Sequence, residues 1–164
     1  MNWYKKSQIE NLTPEELREY EFEAAEWGHS ITPKNAFDKR ENEDEFETLA
    51  DIASYNDTWR LNNILGKGWE GHWENVRPST YLIPAIKQGQ PITIYRAGNQ
   101  QGILPGAYVT ESKEYAIFHG ETSIPGDYVI SSIQVYPDEL MTYDDPHEFI
   151  YIPRNLQTAY ERLK

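Results

Sequence analysis

The chain has 164 residues, no cysteine and a formal net charge of -12, with 38% hydrophobic and 13% aromatic residues. Its length suffices for one core, or one small domain with a helical extension, but not for two full-sized domains. The lack of thiols excludes disulfides and thiolate metal sites, and the acidic surplus argues against direct nucleic-acid binding, whose affinity comes largely from Lys and Arg neutralising phosphates.

The same negative field would steer a basic protein partner favourably. No run approaches the roughly 20 apolar residues of a membrane span, and the opening MNWYKKSQIE has no apolar segment. We therefore expect a cytoplasmic protein with no membrane association. His29, His72, His119 and His147 show no metal-ligand spacing, so no metal is expected.

In chain order, the first half reads as helical. Thr13, Pro14 and Glu16 form a capping-box pattern, which predicts a helix over 14–27 ended by Gly28. Leu17, Tyr20, Ala24 and Trp27 would share its buried face. The charged stretch 38–45 reads as the solvated start of a second helix carrying Phe46, Leu49, Ala50 and Ala53 at helical intervals. A third helix is expected over 57–65, stopped by Gly66-Lys67-Gly68, a glycine pair that lacks the full Walker pattern for cradling phosphate. The aromatic run 69–73 reads as material buried between helices, and a last helix is expected over 79–87, closed by Gly89.

Beyond Gly89 the pattern changes to strands. Residues 92–96 alternate, and 106–110 read as a second strand. Ser112 is the expected cap of a short helix over 112–119, stopped by Gly120. A long strand over 128–135, a corner at 137–140 and a strand over 148–152 follow, and 156–163 closes the chain as a strand or a helix. The fold class is therefore α+β, with helices first and a strand-rich pocket second.

Three segments of this second half carry a resemblance: Ile94-Tyr95-Arg96-Ala97-Gly98, the run from Gly106 through Thr110-Glu111-Ser112 to Tyr115-Ala116, and Glu148-Phe149-Ile150-Tyr151-Ile152-Pro153. In this order they resemble phage and bacterial members of the ADP-ribosyltransferase superfamily, in its arginine-serine-glutamate branch. The resemblance implies residues 1–89 as a helical N-terminal region packed on the core, and residues 90–164 as an NAD-binding split β-sheet pocket, together one globular unit. It assigns Arg96 to NAD binding on the first strand, Thr110 and Ser112 to orienting the ribose and the strand edge, and Glu148 to catalysis at the nicotinamide ribose. Tyr115 either lines the nicotinamide pocket or packs.

The residue types suit that chemistry. A guanidinium offers forked, charge-assisted hydrogen bonds to a pyrophosphate, and a fixed carboxylate stabilises the oxocarbenium-like charge that develops when the nicotinamide–ribose bond breaks. One departure stands out. Where arginine-modifying members carry a second glutamate that activates the acceptor, this chain has Pro146, preceded by Asp144 and Asp145, the nearby carboxylates available to substitute for it. The function implied is a mono-ADP-ribosyltransferase or NAD glycohydrolase, with NAD as substrate and a protein acceptor, in a bacterial or phage-infected cytosol. The alternative is a non-catalytic acidic protein that keeps the fold and blocks a basic partner.

Overall fold

The computed structural model describes residues 33–42, 46–69, 76–99 and 101–163; the expected helix over 14–27 and most of the aromatic run 69–73 lie outside them. The described chain is mixed α and β, with small sheets. Among the described residues four α-helices precede the strands: α1 (Pro33–Asn42), α2 (Leu49–Ser54), α3 (Thr58–Ile64) and α4 (Ile83–Lys87). Then come β1 (Ile92–Gly98), β2 (Tyr108–Val109), α5 (Lys113–Ser123), β3 (Val129–Val135), β4 (Leu140–Met141), β5 (Phe149–Tyr151) and α6 (Leu156–Arg162).

The strands make two antiparallel sheets. β1 pairs with β3 along its whole length, Ile92 opposite Val135 and Arg96 opposite Ser131. In the second sheet β5 lies between β2 and β4. The sheets meet at one bridge, where Tyr95 and Thr110 exchange backbone hydrogen bonds of 2.7 and 3.0 Å. This meeting point places β1 next to the residues that follow β2.

One apolar cluster joins helices and sheets. Leu49 and Ile52 from α2, Leu61 and Ile64 from α3, and Ile86 from α4 pack with Ile92, Ile94, Val109, Val135, Leu140, Phe149 and Tyr151. The period-two pattern of β1 buries Ile92 and Ile94 on one face, and Arg96 continues that same row. Apolar burial drives this packing, and the charged row-end leaves the core for a cleft.

Several boundaries differ from those the sequence suggests, each for a local reason. The segment 38–42 does not begin the second helix but ends a separate one, α1, whose last-turn Arg40 donates to the carbonyls of Asp138 at 2.5 Å, Ile152 at 2.6 Å and Pro153 at 3.1 Å. α2 starts only at Leu49, beyond Phe46, because Thr48 and Asp51 close a reciprocal capping box. The expected helix over 79–87 splits into a 3-10 turn, Thr80–Leu82, and α4, which begins around Pro84, where a missing N–H costs nothing.

Gly120 does not stop α5 but lies inside it. A Cβ there would meet the Tyr128 ring at 2.5 Å, so glycine is the residue that lets that ring approach the helix. At the chain end, Asn155 caps α6 by accepting from the Thr158 N–H at 2.8 Å, which decides the closing element in favour of a helix.

Candidate active site

A cleft of about 370 Å³ opens between the two sheets and α5, within the usual range for small-molecule sites. β1 supplies Tyr95, Arg96 and Ala97, and the end of β2 supplies Thr110. From α5 come Tyr115, Ala116 and His119, and from the segment between β4 and β5 come Tyr143, Asp145 and Glu148. Arg96, Thr110, Tyr115 and Glu148 are thus brought together. Ser112 is not among the lining residues: its hydroxyl caps α5 by accepting from the Tyr115 N–H at 3.1 Å.

Glu148 is held at both oxygens. The Tyr115 hydroxyl donates to Oε1, and the Tyr143 hydroxyl donates to Oε2 at 2.8 Å. Burial, reinforced by the hydrogen bonds to Glu148, pushes both phenols well above their ordinary value. They are therefore protonated donors throughout the physiological range. Across the cleft, Arg96 is buried at 8% exposure and donates from Nη1 to the Tyr108 carbonyl at 3.0 Å. Burial brings its guanidinium down to about 10, so it still carries its charge at neutral pH.

His119 sits one helical turn beyond Tyr115, and its imidazole is shifted down, first by burial and then by the Arg96 charge, with Glu148 opposing. Of the two aspartates beside Pro146, Asp145 lines the cleft, and burial followed by Glu148 and Asp144 raises its carboxyl. Asp144 points elsewhere, accepting from Arg60 Nη2 at 2.8 Å and Nε at 3.1 Å.

That ion pair belongs to a set of anchors that shape the segment 142–148. Thr142 N–H donates to the Glu47 carbonyl at 3.0 Å, and His147 N–H donates to the Ile64 carbonyl at 2.8 Å. Arg60 bonds Glu47 as well as Asp144. Asp144 and His147 both take positive φ, 70° and 60°, in the left-handed region that Asp, Asn and His enter most readily among side-chain-bearing residues. The helical half of the chain therefore grips the segment that presents Tyr143, Asp145 and Glu148.

Sequence reasoning did not select His119, Tyr143 or Tyr95 for the site, and it named Asp145 only together with Asp144, as a substitute for the missing second glutamate. For His119 the signal was the four-residue spacing from Tyr115. Tyr95 was the residue before Arg96 in the resembling segment. Tyr143 lies in an aperiodic stretch with no such signal.

Among the described residues no group of three or more His, Asp or Glu is placed to hold a metal ion, and no helix is long and apolar enough to cross a membrane. No family model, curated protein or solved structure compared with the chain matches it.

Proposed function

We propose that this cleft is a split-sheet NAD pocket of the ADP-ribosyltransferase kind, and that the protein breaks the nicotinamide–ribose bond of NAD, passing ADP-ribose to a protein acceptor or to water. The observation that carries this reading is the pairing of Arg96 on one sheet with a doubly hydrogen-bonded Glu148 at the edge of the other, both facing one cleft. NAD offers a pyrophosphate dianion and a cationic pyridinium ring. Arg96 suits the first, and the Tyr95, Tyr115 and Tyr143 rings, with the nearby carboxylates, suit the second.

In the reaction the bond from ribose C1′ to the pyridinium nitrogen breaks, and its electron pair leaves with nicotinamide, which becomes neutral. The ribosyl centre gains positive charge, which the Glu148 carboxylate stabilises. A nucleophile then bonds C1′ and releases its proton. Labelled NAD incubated with the protein, with and without a host lysate, tests the reading: nicotinamide should be released, and label should move to a protein when an acceptor is present. Absence of both outcomes rejects it.

Two variants refine it. Arg96→Ala should weaken NAD binding about 10- to 150-fold, the equivalent of a charge-assisted hydrogen bond of roughly 1.5–3 kcal/mol. Arg96→Lys should recover part of this, since an ammonium keeps charge but not the fork; equal affinity in wild type and alanine variant, by calorimetry on folded protein, removes Arg96 from NAD binding. Tyr115→Phe takes one donor from Glu148 and should lower kcat about tenfold, about 1.4 kcal/mol, with little change in KM. A change in KM alone would place Tyr115 in substrate packing instead.

A non-catalytic acidic binding protein is favoured by a different feature: both Glu148 oxygens already accept phenols, so a ribose hydroxyl must share an oxygen with one of them or displace it. Tyr143, exposed at the cleft edge, is the phenol that can yield. NAD binding without nicotinamide release would support that second reading.

A further inference from the structure

Directly behind the cleft lies a polar group in the core that the proposed reaction leaves unused. Glu111 and His147 are 2% and 1% exposed, and His147 Nδ1 lies 2.8 Å from Glu111 Oε2. Ser79, itself buried, donates its hydroxyl to the same oxygen at 2.7 Å. The other oxygen, Oε1, is buried with no hydrogen-bond partner among the described residues. A carboxylate so enclosed is costly to bury, and an apolar trio of similar volume would pack without that cost. What a hydrogen-bonded trio adds is direction: it fixes where each of its members points.

The members of this trio point at the cleft machinery by two routes. His147 immediately precedes Glu148, and its own main chain is held at φ 60° with its N–H on the Ile64 carbonyl. With ring and backbone both fastened, His147 anchors the chain immediately before Glu148, whose side chain lines the cleft. The second route is lateral. The His147 ring lies 5.7 Å from the Tyr115 ring, centroid to centroid, at 32°, and Tyr115 is a donor to Glu148. Space for the imidazole is provided by Gly66, where a Cβ would stand 2.1 Å from Nε2. Glu111 sits between Thr110, which bridges to Tyr95, and Ser112, which caps the helix bearing Tyr115.

We propose that the buried Glu111–His147 pair, completed by Ser79, is a positioning device that holds Glu148 and Tyr115 in register, so that the reactivity of the cleft carboxylate is set from the core. His147 and Glu111 are positioning residues; they do not line the cleft. The inference deepens the NAD reading and rests on it only for the kinetic half of its test.

The test compares His147→Gly with His147→Asn. Both accept the left-handed backbone, but only asparagine places an amide N–H at the δ position from which Nδ1 reaches Glu111. Glu111→Gln joins them, because a carbonyl oxygen in the Oε2 position keeps both donors while the charge is lost. Two readouts are taken on folded protein: kcat and KM for nicotinamide release, and the NMR shift of the Glu148 side-chain carboxyl carbon.

In His147→Gly, kcat should fall about tenfold or more with KM nearly unchanged, and the Glu148 resonance should move toward its position in Tyr115→Phe. In His147→Asn and Glu111→Gln both readouts should stay near wild type. A purely structural role would lower the melting temperature of the glycine variant but leave kcat per folded molecule and the resonance in place, and that result overturns the proposal. So does a Glu111→Gln protein as impaired as His147→Gly, which would mean that charge rather than position is at work.

Where His147→Gly does not fold, Ser79→Ala removes one donor without touching the backbone. Both readouts should then move in the same direction by a smaller factor, and wild-type values for both overturn the proposal. If the wild type releases no nicotinamide, the NAD reading falls, and the Glu148 resonance alone decides the positioning role.

Discussion

Replacing Glu148 by glutamine is expected to slow nicotinamide release on the order of a hundredfold or more while leaving NAD affinity nearly unchanged. The surroundings of this residue make the substitution clean. Each carboxylate oxygen now accepts a phenol, from Tyr115 and Tyr143. In the glutamine variant the amide oxygen accepts one of them, and the other phenol rotates so that its oxygen accepts from the amide nitrogen. Volume and hydrogen-bond number survive, and the charge is what changes. A residue that served only to shape the edge of β5 would instead give a stability change of a few tenths of a kcal/mol and no kinetic effect. Nicotinamide release and NAD affinity, measured on the same two proteins, separate these outcomes; equal turnover would end the assignment of the ribosyl charge to Glu148.

How far this cleft was legible in the sequence depends on whether its parts are fixed locally or across the chain. The strand that carries Arg96 was legible from the alternation of Ile92 and Ile94, while the choice of Arg96 itself came from the resemblance. The cap at Ser112 was legible too, since its side chain accepts from the backbone N–H three residues ahead; Asp57 caps its helix in the same way. Ser112 also shows how a local role competes with a functional one: its hydroxyl is spent on the helix. Helix α1 left no apolar stripe to read. Among its described side chains Ala36 alone is in the buried apolar core, and its grip on the molecule comes from Arg40 reaching carbonyls 98 to 113 residues away.

The segment from Thr142 to Glu148 was the least legible part, although it supplies three of the cleft's side chains. Its course is set by Arg60, 84 residues distant from Asp144, and by carbonyls of Glu47 and Ile64. Such pairings have no sequence period, so Tyr143 could not be selected in advance, and nothing told Asp145, which lines the cleft, from Asp144, which turns to Arg60. The same geometry gives the helical half a part in the site. It is the wall against which the segment from Thr142 to Glu148 is fastened, so a substitution in α3 can alter the cleft without touching a lining residue.

A large loss of stability with no loss of chemistry is expected from Glu139→Ala. Glu139 is fully buried and takes a two-pronged contact from Arg162, Nη1 to Oε2 and Nη2 to Oε1, both at 2.7 Å. It also accepts from the N–H groups of Tyr136 at 2.9 Å and Arg154 at 3.2 Å. Arg162 in turn donates to the Tyr151 hydroxyl at 2.8 Å, so this carboxylate straps α6 to the central strand of the second sheet. Removing it leaves a guanidinium enclosed without its counter-charge, which costs about 3–5 kcal/mol, a large part of the 5–15 kcal/mol that typically holds a domain folded.

The pH dependence follows from the same groups. Burial alone pushes the Glu139 carboxyl up, but the Arg162 contacts and the two backbone donors outweigh it and hold the group below its ordinary value. A folded-state value lower than the unfolded one means that the stabilisation is complete above the unfolded carboxyl value, roughly 4.3, and is lost as pH falls below it toward the folded value. Wild type and Glu139→Ala should therefore differ most in denaturant midpoint near pH 7 and converge below about pH 4. A gap that stays constant down to pH 3 would show that the carboxylate's charge is not what holds α6. Nicotinamide release at a temperature well below melting should be the same in both proteins, because the strap lies outside the cleft; a kinetic defect there would mean that the course of β5, and with it Glu148, depends on α6 being fastened.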